Sequence, residues 1–240
     1  AIYSVIGKLP PNGSLIKERP FRAPHHTITA KALCGGGTIP GPGEISLAHC
    51  GVLFLDELPE FHRETLEVLR QPLENGSMQI HRCGYTYDFP AQIMLVGAMN
   101  PCPCGFYPDL SRCHCSYTAV RRYQEKISMP LLDRIDMMIE VSALSYPQWN
   151  QTTQEMSSAQ MKKKVERVRE IQKERRKGQS FLFNSRMGNQ ELEEYCALGT
   201  QEKKLMKKAF DELKMSARGY TKILKVARTI ADLEEKEWIQ

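Results

Sequence analysis

The sequence predicts an α/β domain that is followed by an all-helical region. Between residues 1 and 146, short apolar runs alternate with loops rich in Gly and Pro, whereas from residue 156 onward the apolar residues recur at helical spacing. All but one of the fourteen prolines precede residue 146. A shift from mixed elements to helices alone is typical of an α/β core with a separate helical part. The composition, 41% hydrophobic and 25% charged, is that of a globular protein.

The sequence also excludes several classes of protein. The longest apolar run, residues 93–99, has seven residues and is too short to span a membrane, which takes about 20. The first eight residues, AIYSVIGK, lack the charged start, apolar stretch and cleavage site of a secretory signal. Because the chain also lacks an initiator Met, we expect it to be a fragment of a longer protein. We expect that protein to be cytoplasmic and not to contact a membrane.

Three apolar runs in the first part predict buried strands, at residues 51–55, 92–99 and 135–141. The first run is apolar on both faces, as is typical of a central parallel strand. A helix is predicted over residues 61–74, with Pro72 kinking its last turn and Gly76 just past its end.

Other periodic segments predict a hairpin and three further helices. The alternating run 78–89 is interrupted at its midpoint by Cys83 and Gly84, which predicts a β-hairpin. In the second part, Ser216 is placed to cap the last of three helices, each of which is indicated by an apolar stripe. The stripes consist of Met161, Val165, Val168 and Ile171, of Leu205, Ala209, Phe210 and Leu213, and of Tyr220, Ile223, Leu224, Ala227, Ile230 and Ala231.

The positive charge of the chain is concentrated in residues 162–177. This stretch has nine basic and three acidic residues, whereas the whole chain has a net charge of +5. A basic cluster of this kind binds nucleic acid or another acidic surface. The alternative is a solvated helix whose charges form pairs at spacings of three and four residues.

A pair of carboxylates follows the first predicted strand. Asp56 and Glu57 come directly after the apolar run VLFL. In open parallel sheets, ligands bind at the carboxyl ends of the strands. One carboxylate there can orient Mg²⁺ through water, and the next can align a water that attacks a phosphoryl group, a pattern known as Walker B. The alternative is a strand that simply ends in solvated acids.

Two more polar residues flank the other predicted strands. Asn100 ends the second run, where its amide can position an attacking water or a γ-phosphate, although Asn-Pro also begins turns. Arg134 precedes the third run, where its guanidinium can reach a neighbouring subunit's phosphate. The alternative for Arg134 is a structural ion pair with Asp133 or Asp136.

Four of the eight cysteines lie within fourteen residues, at Cys102, Cys104, Cys113 and Cys115. Four thiolates suit a tetrahedral Zn²⁺, and His114 can replace one sulfur. The C-x-C spacing is less common than C-x-x-C, so four reduced cysteines or a transient redox pair are the alternatives. We expect a structural zinc, because a secreted disulfide scaffold is smaller and denser in cysteine.

Six segments, in order along the chain, carry a family resemblance. They are residues 19–27 (RPFRAPHHT), 42–49 (PGEISLAH), 51–61 (GVLFLDELPEF), 100–105 (NPCPCG), 130–136 (PLLDRID) and 216–232 (SARGYTKILKVARTIAD). They are similar to segments of the magnesium-chelatase-like AAA+ ATPases, above all to the ComM/YifB group of bacteria. The resemblance implies an AAA+ P-loop NTPase core over residues 1–146, a linker with the basic helix over 147–184 and an all-α lid over 185–240.

The resemblance also implies roles for single residues. Asp56 resembles the Walker B ligand that holds Mg²⁺ through water, and Glu57 the catalytic base of ATP hydrolysis. Asn100 resembles the sensor-1 residue. Arg134 matches the arginine finger that acts on a neighbour's nucleotide, and Arg218 the sensor-2 arginine of the lid.

One departure from the family pattern is large. The phosphate-binding motif G-x-x-x-x-G-K-[ST] does not occur in these 240 residues, and Gly7-Lys8 is followed by Leu9. The chain is therefore either truncated or a natural pseudo-ATPase. Because the five residues given ATPase roles above are all kept, we expect truncation, and we expect the isolated chain not to hydrolyse ATP.

The resemblance further implies a ring-shaped motor, a hexamer, that is driven by ATP and acts on DNA in recombination or natural transformation by branch migration. The hairpin at about 77–90 resembles one that faces the central pore, so His81 and Arg82 near its tip are expected to contact DNA. The alternatives are the motor subunit of a magnesium chelatase, or a scaffold without enzymatic activity.

Overall fold

The computed structural model describes residues 2–7, 9, 16, 18–82, 84–142, 146, 156–175 and 183–240. It divides the chain into two compact units, residues 1–135 and 136–240. The first combines strands with helices and the described elements of the second are helices, which confirms the predicted fold class. The predicted division into core, linker and lid stays a prediction. Cys83 and much of the predicted linker lie outside the described residues.

The first unit contains seven short strands and seven short helices among its described residues. The strands are β1 (Phe21–Arg22), β2 (Gly35–Gly36), β3 (Gly41–Pro42), β4 (Val52–Leu55), β5 (Ser77–Arg82), β6 (Tyr85–Pro90) and β7 (Met94–Gly97). The helices are α1 (Ile2–Val5), α2 (Ala30–Cys34), α3 (Glu44–Leu47), α4 (Arg63–Glu67), α5 (Arg70–Asn75), α6 (Tyr117–Gln124) and α7 (Met129–Leu132), with a 3₁₀ turn at Leu58–Glu60.

A parallel three-stranded sheet in the order β1-β4-β7 organises this unit. Leu53 and Leu55 of β4 are fully buried, whereas Phe54 on the opposite face is half-buried and stacks on the exposed Phe21 of β1, with ring centroids 6.2 Å apart. The core lies on the leucine face, where α2, α3, α4 and α7 supply further buried apolar side chains. The prediction that β4 is a central strand of a parallel sheet is confirmed, although only one of its faces is fully buried.

The predicted hairpin is confirmed. β5 and β6 pair antiparallel from Ser77 opposite Pro90 to Arg82 opposite Tyr85. Gly84, in the turn between them, has a φ of +79°, a left-handed conformation that glycine adopts without the steric cost of a Cβ.

The predicted helix over 61–74 is interrupted. α4 and α5 are separated by Val68 and Leu69, one turn before Pro72. Proline has no N–H to donate to the carbonyl four residues earlier, and its ring crowds that carbonyl, so Pro72 disfavours a continuous helix through Val68. Gly76 ends α5 in the left-handed region, with a φ of +70°, as the sequence predicts.

The predicted third strand is wrong. Residues 137–142 have neither helical nor strand structure, and Met138, Ile139 and Val141 are exposed. A strand is held by ladder hydrogen bonds to a neighbouring strand. None of the described residues forms such a ladder with this segment, so its apolar composition does not make it a strand.

The second unit is built from α8 (Ser158–Arg175), a 3₁₀ turn (Asn184–Arg186), α9 (Asn189–Tyr195), α10 (Thr200–Glu212) and α11 (Ala217–Leu233). Its apolar core consists of Met187, Leu192, Cys196, Leu224, Ala231 and Ile239. The Ser216 side chain accepts a hydrogen bond from the Gly219 N–H, which confirms the predicted cap of α11. No helix in the described part of either unit is long and apolar enough to cross a bilayer.

The three predicted apolar stripes are only partly buried within this unit. Val168 of α8 is buried, but Met161 and Val165 are about half exposed, at 52% and 51%. The α10 stripe has no buried residue, although Phe210 packs edge-on against Tyr220 of α11. Helical spacing therefore identifies the helices correctly but overestimates how much of each one is covered here.

Candidate functional site

The sheet brings the predicted Walker B carboxylates next to the predicted sensor residue. β4 and β7 are parallel and in register, with Leu55 opposite Gly97. Beyond the strands the pairing continues, because the Ala98 N–H donates to the Leu55 carbonyl and the Leu58 N–H to the Ala98 carbonyl, both at 2.9 Å. Asp56 and Glu57 therefore leave the same sheet edge as the segment 98–100. All of them except Ala98 are exposed, so their polar groups face solvent.

Glycine at position 97 allows this close approach. A Cβ on Gly97 would lie 3.2 Å from a Leu58 methyl carbon, which is tighter than ordinary packing. A second glycine lies against the predicted sensor residue, since a Cβ on Gly105 would be 3.9 Å from the Asn100 Cγ, and Gly105 has a φ of +83°.

The carboxylate pair has an unusual backbone. Glu57 has a φ of +52°, a left-handed conformation that is uncommon for residues other than glycine. The Asp56 Oδ1 accepts a hydrogen bond from the Glu57 N–H at 2.8 Å, and Glu57 directly precedes the 3₁₀ turn. The two side chains thus project from consecutive residues at a turn rather than along the strand.

Sequence reasoning missed one neighbour of the carboxylates. The Nδ1 of His26 lies 3.0 Å from the Glu57 Oε2. His26 belongs to the loop that follows β1, and β1 is the parallel neighbour of β4. The signal was present in the sequence as the pair of histidines after Pro24, but no motif of adjacent residues connects it to Glu57.

The structure holds Arg134 in an ion pair within its own unit. Arg134 Nε donates to the Glu74 Oε2 at 3.2 Å, and Nη1 donates to the Pro130 carbonyl at 2.7 Å. Its side chain is only 13% exposed. The partner of Arg134 in this ion pair is Glu74, sixty residues upstream. The alternative prediction, an ion pair with Asp133 or Asp136, was therefore wrong about the partner.

Arg218 lies in the second unit, at the second position of α11, and it is half-buried. Its carbonyl accepts a hydrogen bond from the Thr221 hydroxyl at 2.9 Å. Its predicted role as a sensor stays a prediction.

The four clustered cysteines meet in space. Their Sγ atoms all lie within 4.8 Å of one another, and Cys102 and Cys113 are buried. The Cys102 Sγ is 3.4 Å from that of Cys104 and 3.8 Å from that of Cys113, distances too long for a disulfide. Four sulfurs around a tetrahedral Zn²⁺ are about 3.8 Å apart, so the cluster has the size of a metal site.

The environment of these thiols lowers the pKa of two of them, Cys102 and Cys104. Burial acts to raise the pKa of Cys102, but hydrogen bonds, the largest from the backbone N–H of Tyr107, together outweigh it and the pKa is lowered. The backbone N–H of Phe106, as the largest influence, lowers the pKa of Cys104 to about 6. The Cys115 backbone N–H acts to lower the pKa of Cys113, but burial and the neighbouring thiols outweigh it and raise that pKa to about 12. Since the thiolate is the form that binds metal, the lowered pKa values of Cys102 and Cys104 favour metal binding by this cluster.

The predicted nucleic-acid residues lie at the end of the hairpin. His81 and Arg82 are exposed and are the last two residues of β5. The His81 ring is oriented by Thr86 of the opposite strand, with Nδ1 and Oγ1 3.0 Å apart. The Arg82 side chain is thus free of the core and available at the tip.

Comparison with known families covers almost the whole chain. The profile described as magnesium chelatase, subunit ChlI, matches residues 1–149. The profile described as magnesium chelatase, subunit ChlI C-terminal, matches residues 155–240. The chain belongs to the magnesium chelatase family. The first unit is accordingly an AAA+ core of the magnesium-chelatase type, and the helical second unit matches the C-terminal part of that family.

Individual bacterial proteins are also similar to the chain. The competence protein ComM of Haemophilus influenzae is 47% identical over 224 residues, which cover 93% of this chain and 43% of that protein. The uncharacterized protein YifB of Salmonella typhimurium is 41% identical over 219 residues, or 91% of this chain and 42% of that protein. YifB of Escherichia coli is 40% identical over 224 residues, covering 93% and 43%. The chain spans less than half the length of these relatives.

Proposed function

We propose that this chain carries the hydrolytic edge of an ATP-driven motor. The observation that supports the proposal is the convergence of Asp56, Glu57 and Asn100 at one edge of a parallel sheet. Exposed carboxylate and amide oxygens suit Mg²⁺ and its water ligands, so this donor set fits a nucleotide-bound magnesium. The phosphate-binding motif is absent from these 240 residues, and they do not supply the lysine that would hold the phosphates.

In this proposal each polar residue has one task. Asp56 orients a water ligand of the magnesium, Glu57 accepts the proton of the attacking water, and Asn100 aligns that water. Mg²⁺, when bound, neutralises charge that develops on the transferred phosphoryl group.

The arginines supply the remaining parts of the proposed motor. Arg134 stabilises the nucleotide of the next subunit in a ring, and Arg218 acts as the sensor-2 arginine of the helical lid. To reach a neighbouring subunit, Arg134 first has to leave Glu74 and the Pro130 carbonyl. The ring is a hexamer in this proposal.

The motor acts on DNA, in branch migration during recombination or natural transformation. The 47% identity to the competence protein ComM supports this role. The family description, a magnesium chelatase subunit, supports the alternative of a motor that drives insertion of Mg²⁺ into a porphyrin. The complete gene product that contains these residues is the material for the test. ATP hydrolysis stimulated by DNA supports the proposal, hydrolysis stimulated by a porphyrin and its chelatase partners supports the alternative, and no hydrolysis under either condition supports a scaffold.

We propose that the four cysteines hold one structural Zn²⁺. Elemental analysis of the purified protein should find about one zinc per chain, because four thiolates complete a closed tetrahedral site. Cys102→Ser or Cys113→Ser should lose the metal and lower the melting temperature. Cys50→Ser is the matched control, since Cys50 is exposed and lies outside the cluster, so this variant should keep the zinc. A metal-free wild type of the same stability as the cysteine variants would refute the site.

DNA contact should come from the hairpin tip rather than from α8. A ring presents one copy of Arg82 per subunit to the same strand, so weak phosphate contacts add up. Arg82→Ala in the complete gene product should weaken DNA binding and reduce the salt dependence of binding by a slope of about one per contact. The measurement is DNA affinity by anisotropy at several salt concentrations.

The matched control is the triple replacement of Lys162, Lys163 and Lys164 by Ala. α8 has more charge than the hairpin tip, but Lys162 and Arg167 already have acidic partners on the same helix, Glu166 and Glu170. The triple variant should therefore lose less affinity than Arg82→Ala. A larger loss in the triple variant would make α8 the binding surface.

A further inference from the structure

Among the described residues, one side chain is paired with the Glu57 carboxylate. It is His26, in the loop that follows β1. The His26 Nδ1 lies 3.0 Å from the Glu57 Oε2, and the two side chains are 29% and 55% exposed. This close polar contact involves one carboxylate oxygen, and Oε1 remains available to a hydrogen-bond donor such as a water. The proposed catalytic roles given above do not use His26.

The ring of His26 is held in place by its own surroundings. Its centroid is 4.0 Å from that of His25, with the planes tilted by 35°. On another side the ring meets Phe61 edge-on at 6.3 Å, and Phe61 is buried in the core with 3% exposure. The loop that carries His26 begins at the carboxyl end of β1, directly beside the carboxyl end of β4. Two ring contacts thus restrict the imidazole, and it lies at the same edge of the sheet as Glu57.

Glu57 needs such an anchor more than most residues at the end of a strand. It lies at a turn with a left-handed backbone, and its side chain is more than half exposed. A glutamate in that position has three side-chain torsions and little packing to restrict them. A general base is efficient only when its oxygen is held within hydrogen-bond reach of the proton that it accepts.

We infer that His26 is a positioning residue for Glu57, which fixes one carboxylate oxygen so that the other faces the attacking water. This inference rests on the proposed function, because Glu57 is the base there. The arrangement has the form of a base oriented by a third group. His26 itself touches neither the nucleotide nor the water in this scheme, and its effect is exerted through the geometry of Glu57.

The test compares His26→Ala, His26→Asn and His26→Gln in the complete gene product, with Glu57→Gln and His62→Ala as references. His62 is an exposed histidine near the same core whose side chain makes no capping hydrogen bond. His26→Ala should lower kcat for ATP hydrolysis by at least roughly tenfold, with KM and ATP affinity changed by less than about twofold. His26→Asn should recover most of the turnover, because its amide nitrogen occupies the position of Nδ1. His26→Gln, whose amide lies one bond further out, should recover less, and His62→Ala should match the wild type.

The outcomes separate this inference from the proposed function. Turnover that is unchanged or raised in His26→Ala, with Glu57→Gln inactive, would overturn the inference and leave the proposed function intact. Turnover that persists in Glu57→Gln would overturn both. If His26→Ala does not fold, the comparison of Asn with Gln decides, and equal activity of these two variants would count against the inference.

Discussion

Replacing Glu57 by Gln should abolish most ATP turnover of the complete gene product and leave ATP binding intact. Loss of a general base costs about 10²–10⁴-fold in rate. Glutamine keeps the shape of the side chain and can keep the contact with His26, whose Nδ1 lies 3.0 Å from the Glu57 Oε2, so the turn at residue 57 should keep its geometry. The amide cannot take up the proton of the attacking water. Steady-state hydrolysis and binding of a fluorescent ATP analogue measure the two effects.

Glu60→Gln is the matched control for this variant. Glu60 is an exposed carboxylate of the 3₁₀ turn that follows Glu57, and it contacts Lys126 at 3.4 Å. The control should hydrolyse ATP like the wild type. A Glu57→Gln variant that turns over as fast as Glu60→Gln would exclude Glu57 as the base.

The same variant allows a test of action between subunits. Arg134→Ala should also be inactive, since its guanidinium is proposed to act on a neighbour's nucleotide. Mixed with Glu57→Gln subunits, it should regain part of the activity, because some interfaces then combine an intact base with an intact arginine. Mixtures that stay inactive at every ratio would argue against a contribution from Arg134 in trans.

Features set by adjacent residues were predictable from the sequence. The strand VLFL, the hairpin around Gly84, the left-handed end at Gly76 and the cap at Ser216 each depend on a few neighbouring side chains. The cysteine cluster belongs to the same class, because short spacings limit how far apart the four sulfurs can lie. These signals are local, and the chemistry of each residue type fixes them.

Features set by distant residues were not predictable from one sequence. The partner of Arg134 is sixty residues away, and His26 reaches Glu57 only because β1 and β4 pair in parallel. The segment 135–141 has the composition of a buried strand, but a strand exists only beside a partner that supplies its ladder. Composition reports how apolar a segment is, whereas pairing depends on the rest of the fold.

The buried charges of the helical unit give the largest expected effect on stability. Asp232 of α11 is fully buried and accepts hydrogen bonds from Arg228 at 3.0 Å, Arg175 at 3.0 Å and Asn184 at 2.8 Å. These donors come from α8, from the 3₁₀ turn and from α11 itself, so one carboxylate joins three elements. Neither the helical periodicity nor the family resemblance gave Asp232 this role.

Asp232→Ala should therefore destabilise this unit by about 3–5 kcal/mol, because it leaves the Arg228 guanidinium, which is 2% exposed, buried without its counter-charge. Native-state hydrogen exchange of the amides in α8 and α11 measures the loss without requiring the whole protein to unfold in one step. Glu212→Ala removes only an exposed pair with Lys208 at 3.8 Å and should cost well under about 1 kcal/mol. Equal protection in the two variants would show that the network does not stabilise the unit.

The same network makes the unit sensitive to acid. Burial alone would raise the pKa of Asp232, but the hydrogen bonds from Arg175 and Asn184 outweigh it and lower that pKa below its usual value. In the unfolded chain an aspartate has a pKa of about 3.9, so the stabilisation is complete above that pH. It is lost as the pH falls through the lower pKa of the folded state. The difference in protection between wild type and Asp232→Ala should thus be full at neutral pH and should shrink below about pH 4. A difference that stays constant down to pH 2 would mean that packing, rather than the charge of Asp232, holds the three elements together.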